Sequence, residues 1–115
     1  LEYFDCASNQ LTGSIPDLSQ NTALGYFYCG GNQLSSYAGG GVSRSVDGIY
    51  ANSNLFSASA INAILADLVA AGRTKSVDGG YCEVYLAGTG NAAPTGQGLT
   101  DKATLQSRGW IVITN

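Results

Sequence analysis

An α/β-type solenoid of short, stacked parallel strands, finished by a helix-containing C-terminal cap, is the fold class this sequence predicts. Three observations carry the prediction. An eleven-residue motif returns after 23 residues. Glycine outnumbers proline by 16 to 2, which calls for a search for turn-rich repeats before any single element is assigned. One amphipathic helix follows, and only where the period has broken.

The first copy, Leu1-Glu-Tyr-Phe-Asp-Cys-Ala-Ser-Asn-Gln-Leu11, recurs as Leu24-Gly-Tyr-Phe-Tyr-Cys-Gly-Gly-Asn-Gln-Leu34 with seven of eleven positions identical. A decayed third copy begins 22 residues on, Val46-Asp-Gly-Ile-Tyr-Ala-Asn-Ser-Asn-Leu-Phe56, and keeps Asn at motif position 9. Side chains alternate along a strand, so motif positions 4 and 6 share one side. Phe4, Phe27 and Ile49 should stack as one inward ladder, and Cys6, Cys29 and Ala51 as the next. Asn9, Asn32 and Asn54 fall where the chain turns sharply; their amides are expected to satisfy freed backbone groups as a structural ladder. Outward positions carry Tyr3, Tyr26, Tyr28 and Tyr50, and Tyr85 continues the row on a later strand.

These copies resemble the leucine-rich repeat, L-x-x-L-x-L-x-x-N/C-x-L, with Phe4 and Cys6 in place of leucines. Leu11-Thr-Gly-Ser-Ile-Pro16 resembles the L-T-G-x-I-P extension of plant-type repeats, which also occurs in bacterial and phage proteins. The resemblance covers residues 1–56, about 2.5 repeats of 22–23 residues, and implies binding through the strand-bearing face. Residues 57–115 are expected to form the C-terminal cap of the same continuous domain.

Within that cap, Ser57 or Ser59 can cap a helix from Ala58 to Ala71, and Gly72 can end it. Ile61, Ile64, Leu65, Leu68 and Val69 make its apolar stripe. Cys82, Val84 and Leu86 alternate with Glu83 and Tyr85 as a further strand, bracketed by turns at Gly79, Gly80, Gly88 and Gly90. Residues 88–98 have no period and read as a loop. A short helix from Asp101 to Arg108 starts at a Thr100 cap and stops at Gly109, and Trp110-Ile-Val-Ile-Thr114 is a last strand. Repeat stacks need such terminal units to cover their interior. At the other end Leu1 is already motif position 1, with nothing ahead of it to shield Phe4 and Cys6. The sequence is therefore expected to be a fragment of a longer chain or an assembled subunit.

Hydrophobic residues make up 44% and charged residues 11%, so Ser, Thr, Asn, Gln and Gly must cover the surface, as in secreted, virion or cell-surface proteins. The net charge is −3, with a pI near 4.4, and Arg44, Arg73, Lys75, Lys102 and Arg108 form no run. That excludes a phosphate-tracking, nucleic-acid-binding role. No apolar stretch approaches the roughly 20 residues that span a bilayer, so no membrane insertion is expected.

The absence of His removes Ser-His-Asp and Cys-His catalysis within the chain. The Cys spacings of 23 and 53 match no zinc motif, and no metal or cofactor is expected. Cys6, Cys29 and Cys82 read as thiols; Cys6 and Cys29 would lie close enough for a disulfide, but parallel inward side chains rarely supply its dihedral. Glu2, Asp5, Asp47 and Glu83 could reach glycosidase separations, yet read as exposed acids on a sheet face. Gly39-Gly-Gly41 and Gly88-Thr-Gly90 lack phosphate-loop context and read as turns.

The function expected is a non-enzymatic binding or assembly module of a larger extracellular or virion surface protein, of fibre, appendage or decoration type. Its partners would be a protein or identical subunits, a host-surface protein or a glycan, met through the tyrosine face or the ends of the stack. A bacterial cell-surface, adhesin-like domain and a purely structural polymerising subunit are the alternatives. The tyrosines themselves admit two readings: a platform for sugars or proteins, or cross-strand pairs that stabilise the sheet.

Overall fold

The computed structural model describes residues 2–115; Leu1, the first motif position, lies outside the described residues. In chain order the elements are β1 (Tyr3–Asp5), β2 (Thr12–Ile15), β3 (Tyr26–Tyr28), β4 (Gln33–Tyr37), β5 (Gly48–Tyr50), α1 (Ala58–Ala71), α2 (Lys75–Asp78), β6 (Glu83–Tyr85), α3 (Gln97–Ser107) and β7 (Ile111–Ile113).

Each motif copy contributes one strand, and all five strands of the larger sheet run parallel in the order β1-β3-β5-β6-β7. The register aligns Phe4, Phe27, Ile49, Val84 and Val112. The Phe4 and Phe27 rings stack at 5.5 Å and 8°. Beyond the strands, Cys29, Ala51 and Leu86 are fully buried. The stretch after each of the first two motif copies forms a second sheet, in which β2 pairs with β4 in parallel. Ile15 and Leu34 bury its inner side.

α1 closes the core. Ser57 precedes it in an extended conformation and its hydroxyl accepts the Ala60 N–H, while Gly72, in the left-handed region at φ 81°, donates to the Val69 carbonyl and ends it. Its Ile61, Ile64, Leu65 and Leu68 are buried; α1 lies against β4 and α3, and α3 lies against β7. α3 begins at Gln97, four residues ahead of the expected Asp101, and Thr100 sits inside it instead of capping it. The reason is tertiary. At Gly98 a Cβ would run into the Asn62 side chain, so glycine is what lets α3 approach α1 there. The Gln97 amide also donates to Asp101 at 3.0 Å within the first turn.

The expectation of a solenoid is overturned. The chain is a compact globule with a five-stranded parallel sheet, a two-stranded sheet and three helices. Its radius of gyration is 12.6 Å, against about 13 Å for a compact domain of this size. Three motif copies set the register of three strands, but they are too few to draw the molecule out along one axis. The interior left open beside them is filled by α1 and α3 packed together, so that the extents are 36 × 32 × 21 Å. The larger sheet also crosses the expected boundary at residue 57, since β5 pairs with β6.

Candidate functional site

No helix packs on the outward side of the five-stranded sheet, where the register sorts its side chains into rows. One row runs Tyr3, Tyr26, Gly48, Glu83, Ile111 and the next Asp5, Tyr28, Tyr50, Tyr85, Ile113. All five tyrosines singled out in the sequence therefore share this face. Tyr28 and Tyr50 stack at 4.4 Å and 6°, Tyr50 and Tyr85 at 5.3 Å and 21°, and Tyr3 leans on Tyr28 at 5.0 Å and 35°. Ring faces in this row are occupied by neighbouring rings, so what the row offers a partner is ring edges and hydroxyls.

The hydroxyls are tied to carboxylates. Tyr50 lies across Gly48 to donate to Glu83 Oε2 at 2.6 Å; a Cβ at Gly48 would stand 2.6 Å from that ring, so only glycine leaves the path open. Burial, then this bond, pushes the Tyr50 phenol above its ordinary range. Tyr26 donates to Asp47 Oδ2 at 2.8 Å, and this bond with its desolvation pushes Tyr26 up to about 12.

Asp47 is not the exposed acid its position in the sequence suggests. It is buried, accepting the Cys82 N–H at 2.7 Å and the Tyr81 N–H at 3.1 Å, with Arg73 Nε at 3.5 Å. Burial alone would raise its carboxyl, but the two N–H groups, the Tyr26 hydroxyl and Arg73 together hold it below the usual carboxylate range. It anchors the entry to β6. Glu2 and Asp5 stay exposed, as expected.

Three further residues belong to the face and were not singled out in the sequence. Tyr81 meets Tyr26 edge-on at 6.1 Å and is 60% exposed. Ile111 and Ile113 are 44% and 41% exposed. The alternation of β7 would have placed both isoleucines outward, but the unbroken apolar run Trp110-Ile-Val-Ile hides it. Tyr81 lies before β6 at a glycine turn, where no period points to it.

The asparagines work at the edge of the same sheet. Asn32 donates to the Cys6 and Cys29 carbonyls, both at 3.0 Å, and accepts the Leu11 N–H at 3.1 Å. Asn54 repeats this with the carbonyls of Cys29 and Ala51 and the Leu34 N–H. Asn91, unforeseen because it follows Asn54 by 37 residues and not by one period, does the same with Ala51, Leu86 and the Phe56 N–H. Asn9 donates only within its own turn, to Cys6 and Ala7.

Cys6, Cys29 and Cys82 are all free thiols. Among the described residues no group of three or more His, Cys, Asp or Glu side chains could hold a metal, and no helix is long and apolar enough to cross a membrane. Comparison with models of protein families, with curated proteins and with solved structures finds no match for this chain.

Proposed function

We propose that the chain is a non-enzymatic recognition or assembly module of a larger extracellular or virion surface protein, as the resemblance of its first half to leucine-rich repeats suggests, and that it meets a protein partner or identical subunits through the tyrosine face. One observation carries this reading: Tyr3, Tyr81, Ile111 and Ile113 are between 41% and 60% exposed on one side of a single sheet. Apolar groups gathered on one uncovered face mark an interaction surface more often than scattered ones do. The stacking of Tyr28, Tyr50 and Tyr85 on one another favours a protein over a sugar, because sugars need free ring faces and a protein can use edges, hydroxyls and the flanking isoleucines.

The test is a double variant, Ile111→Ser with Tyr3→Ser, whose side chains are exposed enough for the fold to tolerate the change. Cross-linking and sedimentation velocity over a concentration series are expected to show self-association, or capture of a protein from the native surface, that the variant loses while its melting temperature is kept. Unchanged association in the variant, binding confined to a glycan array, or turnover of any glycan would refute the proposal.

A further inference from the structure

A second surface, independent of the tyrosine face, lies at the β1 end of the molecule. There β1 and β2 are both edge strands, and between them opens an apolar cleft of about 380 Å³ lined by Phe4, Leu11, Pro16, Leu18, Leu24 and Phe27. The strands that lie one step further in show how such an end is covered. Phe27 is 5% exposed because Phe4 stacks on it, whereas Phe4 itself is 42% exposed. Leu34, below Leu11 in the neighbouring rung, is 5% exposed, and Leu11 is 42% exposed.

The hydrogen bonds say more about what fits. Asn32, Asn54 and Asn91 each bridge to the strand before them, donating to a carbonyl on it and accepting an N–H from the segment that follows its turn. For Asn32 these groups are the Cys6 carbonyl and the Leu11 N–H, five residues apart in sequence. Asn9 holds the same place in the first rung. Its amide hydrogens turn back to Cys6 and Ala7, and its Oδ1 meets no donor among the described residues.

Tyr3 and Asp5 add to this edge. Glu2 accepts from Gly25 and Tyr26, Cys6 donates to Tyr28, and Ser8 donates to Gly30, so the even-numbered residues face β3. The alternation of a parallel ladder then turns the backbone groups of Tyr3 and Asp5 away from it.

The geometry points to capture of an extended segment of a partner polypeptide at this end, by strand addition parallel to β1 and β2. The segment carries apolar side chains at alternate positions, which cover Phe4 and Leu11, followed by a turn. Its backbone offers Asn9 a carbonyl and, five residues later, an N–H. Main-chain pairing gives such complexes their affinity and the alternate side chains their selectivity. A second copy of the chain fits this description poorly at its opposite edge: β7 is followed by Thr114 and Asn115, and Asn115 is bound to Gly88 and Asn91.

The probe is a synthetic peptide with the sequence of residues 2–16, which already has the required pattern, titrated into the isotope-labelled chain. Saturable shifts are expected at the backbone amides of Tyr3, Asp5 and Leu11 and at the Asn9 side-chain amide, with none for a scrambled peptide. Asn9→Ala should weaken binding about tenfold, the effect of one lost hydrogen-bond set, and because Asn9 is exposed its circular dichroism should match the parent. Absence of shifts, shifts confined to the tyrosine face, or affinity unchanged by Asn9→Ala would overturn the proposal. So would self-association blocked by the peptide, which would make a second copy the occupant.

Discussion

Asp47 shows how much one side chain can organise. Its carboxylate receives the N–H groups that start β6, the Tyr26 hydroxyl and Arg73, and it does so while 5% exposed. Because these partners hold its folded pKa below the unfolded value of about 3.9, its stabilisation is complete above that value and is lost as pH falls through the folded one. Asp47→Asn should therefore cost on the order of 3 kcal/mol at neutral pH, as removal of one buried partner does. In urea titrations run from pH 7 downward, that cost should shrink once the pH drops below about 4. A penalty that stays constant across the series would show that the charge is not what matters. Nothing in the sequence marked Asp47 for this role: the motif put it next to an outward strand position, and only the path of residues 79–82 carries donors over it.

Among the elements, α1 was the one best legible in the sequence, because its stripe, its leading serines and its terminal glycine all pointed to the same span. The choice between Ser57 and Ser59 needed the coordinates. Ser57 accepts the Ala60 N–H, whereas Ser59 sits exposed in the first turn. Ser57→Ala is expected to lower stability by about 1 kcal/mol, and Ser59→Ala to leave it within error, by chemical denaturation; the reverse order would place the cap wrongly. α3 was legible only in part. Its first turn holds Gly98, a poor helix former, and the contact with Asn62 that makes this glycine useful is formed with a helix more than thirty residues earlier. β2 and β4 are strands only through each other. Thr12–Ile15 has three exposed residues and one buried, too little pattern to announce a strand by itself.

At the scale of the whole molecule, the three thiols sample the packing at three depths. Cys6 is half-buried near the open β1 end, while Cys29 and Cys82 are fully buried, and burial pushes the Cys29 thiol up to about 12. In native protein a thiol-specific disulfide reagent should modify Cys6 alone. Cys29 and Cys82 should react at the rate of unfolding, measured by mass spectrometry at intervals. Fast labelling of Cys29 would mean that the first rung does not cover the second as it does here.

The strand positions, their parallel register, the inward Phe–Ile ladder and the sharing of one face by Tyr3, Tyr26, Tyr28, Tyr50 and Tyr85 all follow from the sequence. They depend on period-two alternation and on a motif repeated at nearly constant spacing, both of which are local. The compact shape, the burial of Asp47, the joining of Tyr81, Ile111 and Ile113 to the tyrosine face and the incomplete bonding of Asn9 were decided by the tertiary structure alone. Each depends on which group arrives from a distant part of the chain to cover or to hydrogen-bond another, and a repeat pattern does not encode that once its period has broken.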